Sequence, residues 1–397
     1  MKEKGLSRSL LMIMAVTSGI MVANIYYIQP LLGEISEYFG VSQGKAGIMA
    51  TLTQIGYACG LFFILPFADI SNRKKLVMCM MIGSLCSLIV FVLSHSYILC
   101  AVTSVAIGTT SIVPQLMIPF GAELSSEDER GKNIGTIMSG LLIGMLCSRV
   151  LSGFLGKAAG WKTVYIAAMG LVLVLGIVLY IKLPDVENSS DMRYIDSLRS
   201  LFRMPGKYPV LAHSAVNGAI IFAIFSAFWT VLSFHIDAEW GYGSDVAGMF
   251  GILGISGAVM APVAGKMSDR KGSAFTVTFH LVIIAVTLVV FIVAGKTLPG
   301  LIVGTILLDY GVQCCNVANQ SRIQALSNEE RNRITSVYMV SFFLGGAAGS
   351  AFGTSIYERS GWYGFTVMAS ILILAALAFN VVQNKRAVSA KKIVDIF

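Results

Sequence analysis

The sequence predicts an all-α membrane protein with twelve transmembrane helices in two six-helix bundles. Of its 397 residues, 56% are hydrophobic and only 13% are charged, whereas a soluble globular protein has about 25% charged residues. Mean hydropathy is +0.77, and apolar runs of ~20 residues, enough to cross a bilayer as a helix, recur along the chain. We predict spans at residues 9–32, 46–68, 75–94, 97–120, 134–156, 162–183, 209–235, 244–267, 274–295, 299–320, 334–356 and 363–384.

The longest polar interval divides the spans into six and six. It predicts an N-terminal bundle over residues 1–183, a cytoplasmic central loop over 184–208 and a C-terminal bundle over 209–397. Within the loop, YIDSLRSLFRM is compatible with a short amphipathic surface helix, because Ile195, Leu198, Leu201 and Phe202 are predicted to share one face.

The two halves repeat each other at an offset of 200–201 residues. FADISNRKK (67–75) is answered by MSDRKGS (267–273), EDERGKNIGT (127–136) by NEERNRITS (328–336), and AAGW (158–161) by RSGW (359–362). A constant offset indicates one duplicated unit. The duplication predicts pseudo-symmetric bundles related by an axis along the membrane normal, with a substrate site between them.

The distribution of charge along the chain explains the net charge of +8, so nucleic-acid binding is not needed to account for it. With the N-terminus inside, the inner segments carry 23 Lys and Arg residues and the outer segments 5, while Arg149 remains within a span. This bias predicts that both termini are cytoplasmic. The first apolar run is too long for a signal peptide and is expected to be a retained helix. All seven cysteines fall in predicted spans without disulfide or zinc spacing, so we expect no metal and no cofactor.

The loop after the second span carries a motif found in transporters. Residues 65–74 read LPFADISNRK, and the second copy at 265–272 reads GKMSDRKG. With twelve spans, this pair resembles the loop motif G-x-L-x-D-R-x-G-R-K of the major facilitator superfamily. Asn72 replaces a glycine there and can adopt the left-handed conformation that a glycine would. The resemblance implies a cytoplasmic gate in which Arg73 meets Glu123 or the acidic residues 127–129. The predicted gate residues are Asp69, Arg73, Lys74, Glu123, Asp269 and Arg270.

The resemblance to the drug:proton antiporter branch is incomplete. The fifth span carries Gly140 and Gly144 as in that branch, but Arg149 replaces the proline of its motif. Ser104 stands where the fourth span of those antiporters has an arginine, and the first span has no acid. Coupling by that branch's usual residues is therefore not expected. Several blocks, ANIYYIQPLL among them, resemble a bacterial efflux subgroup.

Asp309 is the one acidic residue that we place near the middle of a span. At about 100° per residue, Gln313, Asn316 and Gln320 fall on the same helical face, and such a polar stripe is expected to line a water-filled cavity. In the superfamily, spans 1, 4, 7 and 10 line the central cavity. The predicted cavity residues are Asn24, Tyr27, Gln29, Gln115, His213, Asn217, Gln313, Asn316 and Gln320.

The sequence leaves several roles open for Asp309. A lone carboxylate in hydrocarbon tends to take up a proton, so Asp309 is a candidate proton carrier. Alternatively it forms an ion pair with Arg149, contacts a cationic substrate directly, or makes a structural hydrogen bond. The candidate coupling residues are thus Asp309 and Arg149.

The functional hypothesis is a secondary active transporter. We expect it to move a small organic molecule across the bacterial cytoplasmic membrane by alternating access, as a monomeric, proton-coupled or other ion-coupled exporter. An uptake permease or a facilitator without proton coupling is the nearest alternative, and a non-transporting membrane sensor is an alternative of another class. An enzyme is not expected: the spans have no His-Glu-x-x-His motif and no second intramembrane carboxylate, and the chain has no P-loop.

Overall fold

The computed structural model describes residues 6–185, 193–327 and 330–394, and gives the backbone alone for Asp69, Ala258 and residues 384–394. Within these ranges the chain is helical and no strand occurs. The N-terminal half forms α1 (Arg8–Tyr26), α2 (Ile28–Phe39), α3 (Gln43–Cys59), α4 (Arg73–Leu93), α5 (Tyr97–Thr110), α6 (Val113–Glu123), α7 (Arg130–Ala159) and α8 (Trp161–Lys182). A π-helical turn, Gly60–Ile64, and a 3-10 turn, Leu65–Asp69, follow α3.

The C-terminal half begins after a surface helix, α9 (Tyr194–Lys207). It forms α10 (Pro209–Trp240), α11 (Ser244–Leu253), α12 (Ile255–Lys271), α13 (Ser273–Ala294), α14 (Leu298–Gln324) and α15 (Arg331–Val394). Among the described residues, eleven helical stretches are long and apolar enough to cross a membrane. The last is interrupted at Gly361, whose φ of 58° and ψ of −156° are not helical, and this break separates the eleventh and twelfth predicted spans. The predicted fold class, an all-α membrane protein, is confirmed.

Prolines explain two breaks within single spans. α1 and α2 meet at Tyr27, three residues before Pro30, and α5 and α6 meet just before Pro114. Proline has no N–H, so the carbonyls of Tyr26 and Thr110 lose their usual partner four residues later. The helical hydrogen-bonding pattern is therefore interrupted within the apolar run, and the sequence shows one span where the backbone has two helices.

The chain divides into two compact units. The first contains the residues up to Arg199 together with Leu232–Ile252, and the second contains Ser200–Val231 and the residues from Leu253 onward. The end of α10 and most of α11 thus belong to the unit built by the N-terminal half. The domain boundaries predicted from the sequence followed the repeat, and a repeat does not reveal that Leu232–Ile252 contacts mainly the N-terminal half.

The duplicated halves use the same close helix contacts. In the first unit, a Cβ on Gly144 of α7 would overlap the backbone of Gly19 of α1. In the second unit, a Cβ on Gly345 of α15 would overlap the backbone of Ala219 of α10. These pairs are related by the same 200–201-residue offset as the loop motifs. Small residues allow the backbones to approach, so these two glycine positions serve packing inside each unit.

Asn72 does not adopt the left-handed conformation that is open to it. Its φ of −63° and ψ of 114° are extended, and its side chain accepts a hydrogen bond from Lys75 N at 3.0 Å. α4 begins at the next residue, and a helix N-terminus favours an extended residue whose side-chain oxygen binds a free N–H. Asparagine therefore acts here as a helix cap and does not substitute for a glycine turn.

The predicted surface helix is present as α9, but Leu201 does not share the face of Ile195 and Phe202. Leu201 is 3% exposed and Phe202 is 75% exposed, because adjacent residues point about 100° apart on a helix. Ile195 is exposed with Phe202. Residues 186–192 of the predicted central loop lie outside the described residues.

Candidate functional site

Asp309 lies in the interior of the second unit. It is 1% exposed in α14, and α12 approaches it through Gly257. A Cβ on Gly257 would lie 2.7 Å from the carbonyl oxygen of Asp309 and 2.7 Å from Cγ of Gln313. The glycine therefore makes room for the backbone at Asp309. The repeat-related contact in the first unit joins Gly56 to the backbone near Gly108, so Asp309 stands where the first half has a glycine.

The polar face of α14 has a hydrogen-bond partner on α15. Oδ1 of Asn316 accepts hydrogen bonds from the hydroxyl of Tyr338 at 2.8 Å and from Nε2 of Gln320 at 3.3 Å. Tyr338 is fully buried, and its ring packs where Gly218 of α10 has no side chain. The hydrogen bond between Asn316 and Gln320 lies on the helical face that the sequence predicted for them, and their cavity role stays a prediction. The sequence missed Tyr338, because hydropathy does not distinguish this tyrosine from the other aromatic residues of the apolar spans.

A second polar group connects four helices of the same unit. Nη1 of Arg322 lies 3.0 Å from Nδ1 of His213, and the amide of Asn217 lies 3.1 Å from Nε2. Nδ2 of Asn217 lies 3.4 Å from Oδ1 of Asn380, which donates from Nδ2 to Thr278 Oγ1 at 2.7 Å. A guanidinium only donates, so Nδ1 of His213 accepts in this arrangement.

His213 and Asn217 are both members of this hydrogen-bond network. The sequence predicted both as cavity residues, and the structure places His213 beside Arg322 of α14 and Asn217 beside Asn380 of α15. Asn380 was missed, although a lone asparagine inside an apolar run was a usable signal. The cavity role of His213 and Asn217 stays a prediction.

Arg149 is fully buried in the first unit. Its Nε donates to Oε1 of Gln29 at 2.9 Å, and its guanidinium carbon lies 4.8 Å from the centroid of the Tyr26 ring. A cation over an aromatic face is attracted by the ring quadrupole. Two residues of the first span thus hold the guanidinium of the fifth span. Arg149 and Asp309 belong to different compact units.

The other predicted cavity residues of the first unit have local partners. Nδ2 of Asn24 lies 3.5 Å from Oγ of Ser84, and Nε2 of Gln115 lies 3.4 Å from the Tyr57 hydroxyl. Both distances are long for hydrogen bonds of their type. The ring of Tyr27 instead packs edge-on against Tyr165 of α8, with centroids 6.3 Å apart.

The predicted gate residues of the first repeat form contacts at the start of α4. Nη1 of Arg73 lies 2.5 Å from Oε2 of Glu123, the first of the two partners that the sequence allowed. Nζ of Lys74 lies 5.6 Å from the ring centroid of Tyr180. The side chain of Asp69 lies outside the described residues. In the second repeat, Asp269 and Arg270 are exposed at the end of α12.

A further ion pair joins α9 to the start of α15. Nζ of Lys207 and the hydroxyl of Tyr208 each lie 2.7 Å from Oε2 of Glu330. The hydrogen bond from Lys207 lowers the pKa of Glu330, and the same bond raises the pKa of Lys207. Both charges therefore persist across the neutral pH range.

Asp309 in α14 and Arg149 in α7 place a buried carboxyl and a buried guanidinium within two of the apolar spans. Arginine stays protonated in proteins, whereas a carboxyl can exchange a proton. Of the two, only Asp309 can change its charge during a cycle. Within the described ranges no cluster of three His, Cys, Asp or Glu residues is arranged to hold a metal ion.

Known proteins with similar sequences are membrane transporters. A family model described as Major Facilitator Superfamily matches residues 11–324. The uncharacterized transporter YgaY of Escherichia coli O157:H7 is 35% identical over 373 residues, covering 94% of this chain and 95% of that protein. A probable transporter of Streptomyces coelicolor is 29% identical over 382 residues, covering 96% and 89% of the two chains.

Solved structures show the same fold at low identity. The inward-facing, unoccupied structure of a bacterial homologue of the human lysosomal transporter Spinster aligns with a TM-score of 0.75 at 14% identity, covering 93% of this chain and 95% of that one. The human organic anion transporter MFSD10 aligns with a TM-score of 0.70 at 16% identity, covering 94% and 100%. At these identities the likeness concerns the fold, since one fold hosts many substrates.

Proposed function

The chain belongs to the Major Facilitator Superfamily and is a multi-pass membrane transporter, and from this premise we propose that it is a proton-coupled exporter of a small organic molecule. Transport proceeds by alternating access, and Asp309 carries the coupling proton. Because the usual acid of the first span's apolar core is absent and Arg149 replaces the proline of the fifth, coupling uses a different position from that of the drug:proton antiporter branch.

The observation that carries the proposal is the burial of Asp309. Its side chain is 1% exposed in the middle of an apolar helix, and ionisable residues at such depth mark ion or substrate pathways. The half-buried Gln313, Asn316 and Gln320 continue the polar face of α14 toward Arg322. A carboxyl at one end of a polar face suits proton binding next to a substrate.

The membrane and its orientation are part of the proposal. The excess of Lys and Arg in alternate loops supports cytoplasmic termini, and the bacterial relatives support the cytoplasmic membrane. Arg73, Glu123, Lys207 and Glu330 then lie on the cytoplasmic side, where ion pairs that break and re-form can bias inward-open and outward-open populations.

The test is transport by purified protein in proteoliposomes that contain a lumenal pH dye. A panel of organic cations, anions and neutral compounds is screened with an imposed pH gradient in each direction. The proposal expects substrate movement coupled to proton movement of opposite direction in the wild type. In Asp309→Asn, accumulation driven by the gradient should be lost and exchange at equal concentrations should persist, because asparagine keeps the shape and cannot change charge.

Other outcomes identify the alternatives. Coupled movement of substrate and proton in the same direction would establish an uptake permease. Transport that ignores the pH gradient in the wild type would establish a facilitator or coupling to another ion. Undiminished gradient-driven transport by a stable Asp309→Asn protein would exclude Asp309 as the proton carrier.

A further inference from the structure

Ser244, the first residue of α11, contacts two helices of the N-terminal half. Its Oγ donates a hydrogen bond to Oε1 of Glu34 in α2 and also lies 3.1 Å from the carbonyl oxygen of Gly153 in α7. All three residues belong to the first compact unit. A Cβ on Gly156 would lie 3.2 and 3.4 Å from the two carboxyl oxygens of Glu34, so the carboxyl rests against bare backbone of α7.

The contact has one proton too few when Glu34 is ionised. A serine hydroxyl carries a single proton, and a backbone carbonyl only accepts. If Ser244 donates to Gly153, the ionised carboxylate of Glu34 and Oγ of Ser244 face each other as two acceptors with no proton between them, and they repel. If Ser244 donates to Glu34, the 3.1 Å approach to Gly153 is unsupported. With Glu34 protonated both contacts are hydrogen bonds, because the carboxyl donates to Ser244 and Ser244 donates to Gly153.

The charged groups that act on Glu34 lie on α7, on α11 and on α2 itself. They are Lys157 on α7, Asp245 on α11 and the exposed Glu37 on α2 itself. Lys157 Nζ and Asp245 Oδ1 would lie 2.7 and 3.2 Å from a Cβ on Gly243, so the lysine sits beside Asp245. Three carboxylates around one lysine leave an excess of negative charge, which a proton on Glu34 reduces.

We propose that Glu34 is a proton-binding site, and that its protonated form fastens Ser244 and the start of α11 to α2 and α7. The proton comes from water at the Phe39 end of α2 and returns there, so only an O–H bond forms and breaks. That this end faces the outside, and that the site takes part in a proton-coupled cycle, rests on the proposed function. The site itself does not depend on the substrate or on Asp309.

The test measures hydrogen–deuterium exchange of residues 241–248 in lipid nanodiscs, without substrate or gradient. After correction for the intrinsic exchange rate, wild-type protection should fall as pH rises from 5 to 8. For a single linked proton, the fall should not exceed about tenfold for each pH unit. Glu34→Gln should stay protected at every pH, because its amide N–H donates to Ser244 as the protonated carboxyl does.

Glu37→Gln is the matched control, since it removes the same charge one turn away on an exposed residue. It should keep the wild-type pH dependence. Ser244→Ala should be weakly protected and independent of pH, and it carries the test if Glu34→Gln does not fold. A pH-independent wild type, or a pH dependence that survives in Glu34→Gln or Ser244→Ala, overturns the proposal. Either result leaves the outcome of the Asp309 transport test unchanged. Failure of the Asp309 test likewise does not decide whether Glu34 binds a proton.

Discussion

Nε of Arg149 donates a hydrogen bond to Oε1 of Gln29 over 2.9 Å, and both side chains are buried. The two residues lie 120 positions apart in the sequence. The contact joins the first and fifth spans at a guanidinium that cannot give up its charge. Its removal is therefore expected to cost more than the loss of a neutral hydrogen bond.

Gln29→Leu should lower the free energy of unfolding by about 1.5–3 kcal/mol, the range for a hydrogen bond to a charged group. Gln115→Leu is the matched control: its 3.4 Å contact with Tyr57 is neutral and long, so its cost should be about 1 kcal/mol or less. Thermal melts of both variants in detergent give the comparison. Equal losses would mean that the charge of Arg149 does not strengthen the Gln29 contact.

Asp309→Asn and Arg149→Gln together test whether the two ionisable groups depend on each other. If they form a buried ion pair, each single variant should lose ~3–5 kcal/mol because a charge is left without its partner, and the double variant should recover. If Asp309 is a proton carrier independent of Arg149, the Asp309→Asn protein should remain stable. The losses should then add within about 0.5 kcal/mol. Thermal melting of the three proteins separates these cases.

The Arg73–Glu123 ion pair should have a measurable but small coupling. Its side chains are 14% and 35% exposed, and exposed pairs contribute about 0.2–1 kcal/mol. Arg73→Glu should destabilise the protein, and adding Glu123→Arg should restore most of the loss. A double-mutant cycle of melting temperatures at low and high salt measures this coupling. A coupling of zero at low salt would remove the basis for a gate contact here.

Gly108 should not tolerate alanine. An added Cβ would overlap the backbone of Thr53, and overpacking of this kind costs about 1–3 kcal/mol. Gly170 is the control, because nothing lies within 4 Å of a Cβ there and Gly→Ala inside a helix gains up to about 1 kcal/mol. Melting temperatures should therefore move in opposite directions. A neutral Gly108→Ala variant would show that α3 and α5 can separate freely.

The Lys207–Glu330 contact makes a specific prediction about pH. The pKa of Glu330 is lowered from 4.5 by its hydrogen bond with Lys207, so its contribution is present above that value and is lost as pH falls through the folded pKa. The pKa of Lys207 is raised from 10.5 by the same bond, so its contribution is lost only as pH rises above that value. The melting difference between wild type and Glu330→Gln should be constant from pH 6 to 9 and narrow below pH 4. A difference that changes within the neutral range would exclude this pair as its source.

The sequence by itself determined the fold class, because a bilayer requires long apolar helices and leaves that requirement visible in hydropathy. The constant repeat offset also indicated that the two halves derive from one duplicated unit. The end of the first span was not predicted correctly from hydropathy. Hydropathy stopped it at residue 32, yet α2 continues to Phe39 and ends where Gly40 adopts the left-handed conformation. Gly156 and Ser244 contact the carboxyl of Glu34 within this extension.

Only the tertiary structure decided which polar residues meet. His213 and Asn217 share a helix face, but their contacts with Arg322 and Asn380 join residues 109 and 163 positions apart. Ser244 likewise meets Glu34, 210 positions away, inside the first unit. Periodicity shows which side of a helix is polar. It does not show which helix lies opposite, because that depends on close glycine contacts and helix directions that involve the whole bundle.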